Sequence, residues 1–191
     1  MKLSLRLGKR DADITRRLKL FQATVTQTAL WCSESWTLTA AQKKHLKAVQ
    51  RNMLRRCAAP CRHPDEDYLT WVRCATKSAD QRARDAGCDC WLKQFLRRKF
   101  AWAGRVTNMS TERVAYRSTC WRDSEWWSDQ PRGSSAYGSR PMRPRPGRVA
   151  RWEGDLQTFA SNKSWGNWQS YAHKLELWND LQSEFVEHMW R

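Results

Sequence analysis

The chain has 191 residues, 40% of them hydrophobic, and 35 Lys/Arg against 19 Asp/Glu leave a formal net charge of +16. That length accommodates one domain with a tail or two small units, and thirteen tryptophans supply enough apolar surface to seal a core of that size. No stretch approaches the roughly 18 apolar residues that span a bilayer, and residues 1–20 lack the unbroken apolar run of a signal peptide, so neither a membrane protein nor a secreted one is expected.

The charge is uneven: residues 1–64 carry 14 Lys/Arg against 3 Asp/Glu, whereas residues 151–191 carry 4 against 6. A positive field of that size favours polyanions, nucleic acid first among them, although a basic surface that only keeps the chain solvated also fits. Seven cysteines, an odd number, suit a reducing compartment. The expected location is nuclear or cytoplasmic.

Taken in order, the elements are all helical. Asp13 caps a helix whose inner face reads Ile14, Leu18, Phe21, Val25, Ala29 and Cys32, with Leu20, Leu30 and Trp31 on other faces, so burial on more than one side is expected. Thr39 and Gln42 form a capping-box pattern that opens a second helix over about 40–57. There Leu46, Val49, Met53 and Leu54 form an apolar side, and Lys44, Lys47, Arg51 and Arg55 follow one another on another face. Pro60 and Pro64 end it.

The acidic run Asp65-Glu66-Asp67 suits the positive end of a third helix, with Tyr68, Val72, Ala75, Ala79 and Ala83 inside and Gly87 as its stop. A fourth helix over about 89–103 gathers Trp91, Phe95 and Trp102, widened by Leu92, Leu96 and Phe100. A shorter segment near 111–127 follows and ends in Trp126-Trp127, a pair read as core before it is read as a base-stacking platform. Residues 128–148 hold Pro131, Gly133, Gly138, Pro141, Pro144, Pro146 and Gly147 and read as a disordered linker. Beyond it come a short helix at about 149–160 and a long one at about 167–190, with Tyr171, Leu175, Trp178, Phe185 and Met189 at helical spacing. The expected architecture is an all-α, irregular helical bundle: a basic region 1–127, the linker 128–148 and a helical tail 149–191.

Enzyme signatures are missing. There is no HExxH, no Gly-rich phosphate loop, no GxSxG and no adjacent aspartate pair for two-metal chemistry. His45, His63, His173 and His188 have no Ser or Cys motif beside them. Cys57, Cys61, His63 and Cys74 invite a zinc reading, but their spacing is irregular and Cys57 falls on an apolar face, so small thiols are the preferred assignment. No catalytic residue, metal or cofactor is assigned.

The strongest functional feature is the row Lys44, Lys47, Arg51 and Arg55. Arg16, Arg17, Lys19, Arg97, Arg98 and Lys99 extend it if the helices bundle, and Arg143, Arg145 and Arg148 of the linker add phosphate contacts.

Residues 17–56, RLKLFQATVTQTALWCSESWTLTAAQKKHLKAVQRNMLRR, resemble the segment that follows the polymerase palm in reverse transcriptases of non-LTR retrotransposons. Leu20, Phe21, Ala23, Val25, Leu30, Glu34, Trp36, Leu38 and Thr39 match the family pattern. Downstream, Trp102, Gly104 and Val106 are similar to its R-R-x-x-W-x-G-H-V stretch, and Pro146, Gly147, Arg151, Trp152, Glu153, Asp155 and Leu156 to its G-R-P-x-x-R-W-E-D-D-L segment. Departures are Gln27 for Pro, Cys32 for Gly, Arg105 for His and Gly154 for the first Asp of the pair.

The resemblance implies a thumb-like helical region with the element's C-terminal tail, which in the family helps hold the template–primer or element RNA; the expected partner is nucleic acid, through RNA or DNA backbone contacts, RNA ahead of DNA. In the family catalysis belongs to the palm, which would precede Met1, so a non-catalytic remnant is expected. Two other readings stay open: a helical protein-interaction module that engages a second chain through the 167–190 helix, and a decayed product without a selected role.

Overall fold

The computed structural model describes residues 13–120 and 151–190, and among these every regular element is a helix. Two compact units divide the chain, one comprising Met1–Lys99 with Val186–Arg191 and the other Phe100–Phe185. The proposed linker 128–148, with Arg143, Arg145 and Arg148, lies outside the described residues, as does Trp126-Trp127.

In the first unit α1 runs Ile14–Phe21 behind Asp13, whose carboxylate accepts from the Arg16 amide. It continues as a π-helical turn over Gln22–Thr26 and one α turn over Gln27–Ala29. The hydroxyls of Thr24 and Thr28 donate back to the carbonyls of Leu20 and Thr24, at 2.7 and 2.9 Å, in the stretch where the ladder widens. A π turn inserts about one extra residue, which rotates the following side chains by roughly 100°. Even so, the expected face holds through Val25 and Ala29, which pack against the core beside fully buried Leu30; Cys32 lies past the helix end in a left-handed turn and is exposed, as is Trp31 at 76%.

Helix α2, Ala40–Ala58, opens on the expected capping box, Thr39 and Gln42 satisfying each other's backbone. Leu54 is buried and Leu46 and Val49 pack against the core, while Met53 is 37% exposed. Helix α3, Tyr68–Asp85, starts at Asp67, which accepts from the Thr70 amide at 2.9 Å. It stops at Gly87, where φ is +73° and the amides of Gly87 and Cys88 return to the carbonyls of Arg84 and Ala83. This is a Schellman closure, and glycine adopts its left-handed residue without a Cβ clash. Ala75, Ala79 and Ala83 are buried. Small residues there let α2 and α3 lie close, and Arg82 seals the pair by donating to the Ala58 carbonyl at 2.5 Å.

Helix α4 covers Trp91–Thr107. Its first residue anchors the core: the Trp91 ring stacks on Phe21 with centroids 6.0 Å apart, and its indole N–H donates to Thr26 at 2.8 Å. Gln50, buried in α2, accepts from the Trp91 amide at 2.8 Å and donates to the Asp89 carbonyl at 3.0 Å. One side chain thus satisfies an orphan amide at the start of α4 and fixes α2 against it.

The second unit contains the later turns of α4, α5 (Val114–Cys120), α6 (Gly154–Asn162), α7 (Trp168–Ala172) and α8 (Leu175–Asp180). A further helix, α9, covers Gln182–Trp190. Phe100 is the hub of this core. It stacks on Trp178 at 4.0 Å between centroids and also meets Phe159 and Phe185.

The single helix expected over 167–190 is therefore three short ones, and the reason is phase. Trp168 and Ala172 are one turn apart, but Trp178 lies six residues on, about 240° around a continuous helix. The break at Lys174, with φ −91° and ψ 78°, resets the phase so that Trp168, Ala172 and Trp178 are all buried. Leu175, expected on the inner face, is 44% exposed.

Candidate nucleic-acid interface

Eleven residues separate Lys44 from Arg55, about 16 Å along α2, and both stand on one helical face with Lys47 and Arg51. The face runs beside α3 instead of facing solvent along its whole length. Arg55 reaches Thr76 of α3 at 3.5 Å and also bonds Asn52. The Arg51 guanidinium lies 3.8 Å from the Asp80 carboxylate. Pairing this exposed contributes at most about 1 kcal/mol, so Asp80 holds Arg51 only weakly. Lys47 is half-buried, its ammonium 3.8 Å above the ring of Trp190. Lys44 is exposed at the N-terminal end of the row.

Lys47 and Arg51 border a groove of about 360 Å³ that also takes in Arg84, Lys93 and Trp190. Four cations thus surround it against two carboxylates, Asp80 and Asp89. Asp80 faces Arg51 and Asp89 is bonded to Arg97, so neither carboxylate leaves the groove negative. Lys93 is held by Glu187 at 2.9 Å and sits 5.2 Å from the centre of the Trp190 ring. Gln50 and Leu54 line the groove too.

The proposed extensions divide. Arg16 and Lys19 are exposed on α1. Arg17 is 8% exposed and Lys99 only 1%, so neither belongs to a solvent-facing patch. Both lie on helix faces that the core covers, and their long apolar stems pack there. Arg98 has a structural task, donating to the Leu30 carbonyl at 2.7 Å and to Gln27 at 2.5 Å. Arg97 is spent on Asp89. Arg84, Lys93 and Trp190 were not singled out from the sequence. Nothing local marks them, because they come together only when α3, α4 and the chain's end pack beside α2.

Cys57 and Cys88 are buried, and burial raises both thiols above their ordinary value. The Cys88 thiol donates to the Leu18 carbonyl at 3.3 Å. Cys61, His63 and Cys74 are exposed, and among the described residues no three potential ligands gather as a metal site would require.

Comparison with protein-family models, curated proteins and solved structures gives no match. Among the described residues no helix is long and apolar enough to cross a membrane. The groove's chemistry is what its own residues provide: Lys47, Arg51, Arg84 and Lys93 with the Trp190 ring. Four cations and one aromatic ring therefore border the groove together.

Proposed function

We propose that this chain is a nucleic-acid-binding helical module, similar to the thumb and post-thumb region of non-LTR retrotransposon reverse transcriptases and non-catalytic in itself. Its ligand is the sugar–phosphate backbone of single-stranded RNA. The observation that carries the reading is the convergence of Lys47, Arg51, Arg84 and Lys93 on one groove, with Lys44 continuing the row along α2.

One departure and several matches support the family resemblance physically. Cys32 stands where the family has glycine, and its φ of +51° is the left-handed conformation that glycine serves best. Gly104, a family match, lies where an added Cβ would come within 2.7 Å of Trp178. Phe21 and Leu30 are core, Trp36 stacks on Phe95, and Thr39 caps α2, so these matched residues hold a helical scaffold together.

The test is the affinity for a single-stranded RNA oligonucleotide as a function of salt. Log affinity is expected to fall linearly with log salt, and the paired substitution Lys44→Gln and Arg51→Gln to reduce the slope by about 1.4, or about 0.7 per phosphate contact. A salt-independent affinity, or no binding at low salt, refutes the proposal.

A further inference from the structure

Among the described residues Trp190 is the one aromatic ring bordering the cationic groove, and two ammonium groups, Lys47 and Lys93, lie over or near it. A cation over an indole face is held weakly where water reaches both. A nucleotide offers more to the same residues: a flat base for the ring and a phosphate for the ammonium that the base displaces. We propose that this groove is a single-nucleotide subsite, in which one unpaired base of the RNA stacks on Trp190 while its flanking phosphates engage Lys47, Arg51, Arg84 and Lys93. The inference rests on the nucleic-acid reading above and adds to it a base contact that the backbone model lacks.

The geometry suits the ligand. The volume, about 360 Å³, is at the lower end of small-molecule sites. Its floor is fixed, since buried Gln50 ties α2 to the Asp89 carbonyl and the Trp91 amide. Its cations are the movable part. Lys47 needs only a side-chain rotation to leave the ring, and Lys93 exchanges Glu187 for phosphate. Stacking on an indole face tolerates any base, because every base has a π-face.

The full chain is titrated with oligouridylate and with inorganic polyphosphate, which carries the charge without bases. Trp190→Ala is expected to weaken oligouridylate binding by about five-fold to one-hundred-fold, to leave polyphosphate binding unchanged, and to be largely rescued by Trp190→Phe. Unchanged or tighter RNA binding by Trp190→Ala overturns the subsite, the tighter case meaning that Trp190 covers the groove. A second measurement needs no variant: photo-crosslinking of a 4-thiouridine oligonucleotide to the wild-type chain should label the peptide containing Trp190, and labelling confined to other peptides also overturns it. Wild-type protein that binds neither polymer sinks the phosphate reading itself. RNA binding that is salt-dependent but indifferent to Trp190 sinks only the stacking.

Discussion

Cys32 and Gly104 show what one Cβ atom decides. At Cys32 the left-handed backbone costs an L-residue about 1–2 kcal/mol. Glycine would remove that strain and lose about 0.5–1 kcal/mol to its freer unfolded chain. Since the Cys32 side chain is exposed and little packing is forfeited, Cys32→Gly is expected to stabilise the protein by about 0.5–1 kcal/mol in urea unfolding. The reverse logic holds at Gly104. The Trp178 indole N–H bonds the Phe100 carbonyl at 2.9 Å, and an added methyl at Gly104 would strike that ring. Gly104→Ala should therefore cost about 1–3 kcal/mol, read as a lower urea midpoint with an unchanged slope. The first substitution is legible from the family pattern alone; the second becomes an argument only once Trp178 is known to lie there.

Helix ends were the most legible elements. Asp13, the Thr39–Gln42 box, Asp67 of the acidic run before α3 and Gly87 all act where local chemistry puts them, because a cap is decided within about four residues. At Asp67 the cap also carries a pH signature. Hydrogen bonds from the Thr70 amide, then from its hydroxyl, hold the carboxyl below its usual value. The folded state thus favours the ionised form, so this contribution is complete above the unfolded value, about pH 4, and fades as pH falls through the folded one. Asp67→Asn keeps an acceptor that does not titrate. Its unfolding midpoint should decline less steeply than the wild type's below about pH 4, and parallel acid profiles would show that the charge contributes nothing. Interior faces were less legible. The first helical stretch ends at Ala29, which leaves Cys32 exposed in the turn beyond it, and the breaks in the final segment turned a continuous helix into three, since neither event has a four-residue signature.

For the whole molecule, charge and fold class could be read without coordinates, because net charge is a sum over residues and helix periodicity is a local repeat. The composition and spacing of this chain by themselves determined an all-α architecture, a basic N-terminal third and a cationic row on α2. Only tertiary packing decided which cations face the groove. It buried Lys99 and Arg17, tied Arg98 to a carbonyl and Arg97 to a carboxylate, and drew Arg84, Lys93 and Trp190 to the side of Lys47 and Arg51. The physical reason is sequence distance. Charge along one helix is set by residues three or four apart, whereas this groove unites positions from Lys47 to Trp190, and their meeting depends on aromatic and alanine contacts that bring distant helices together.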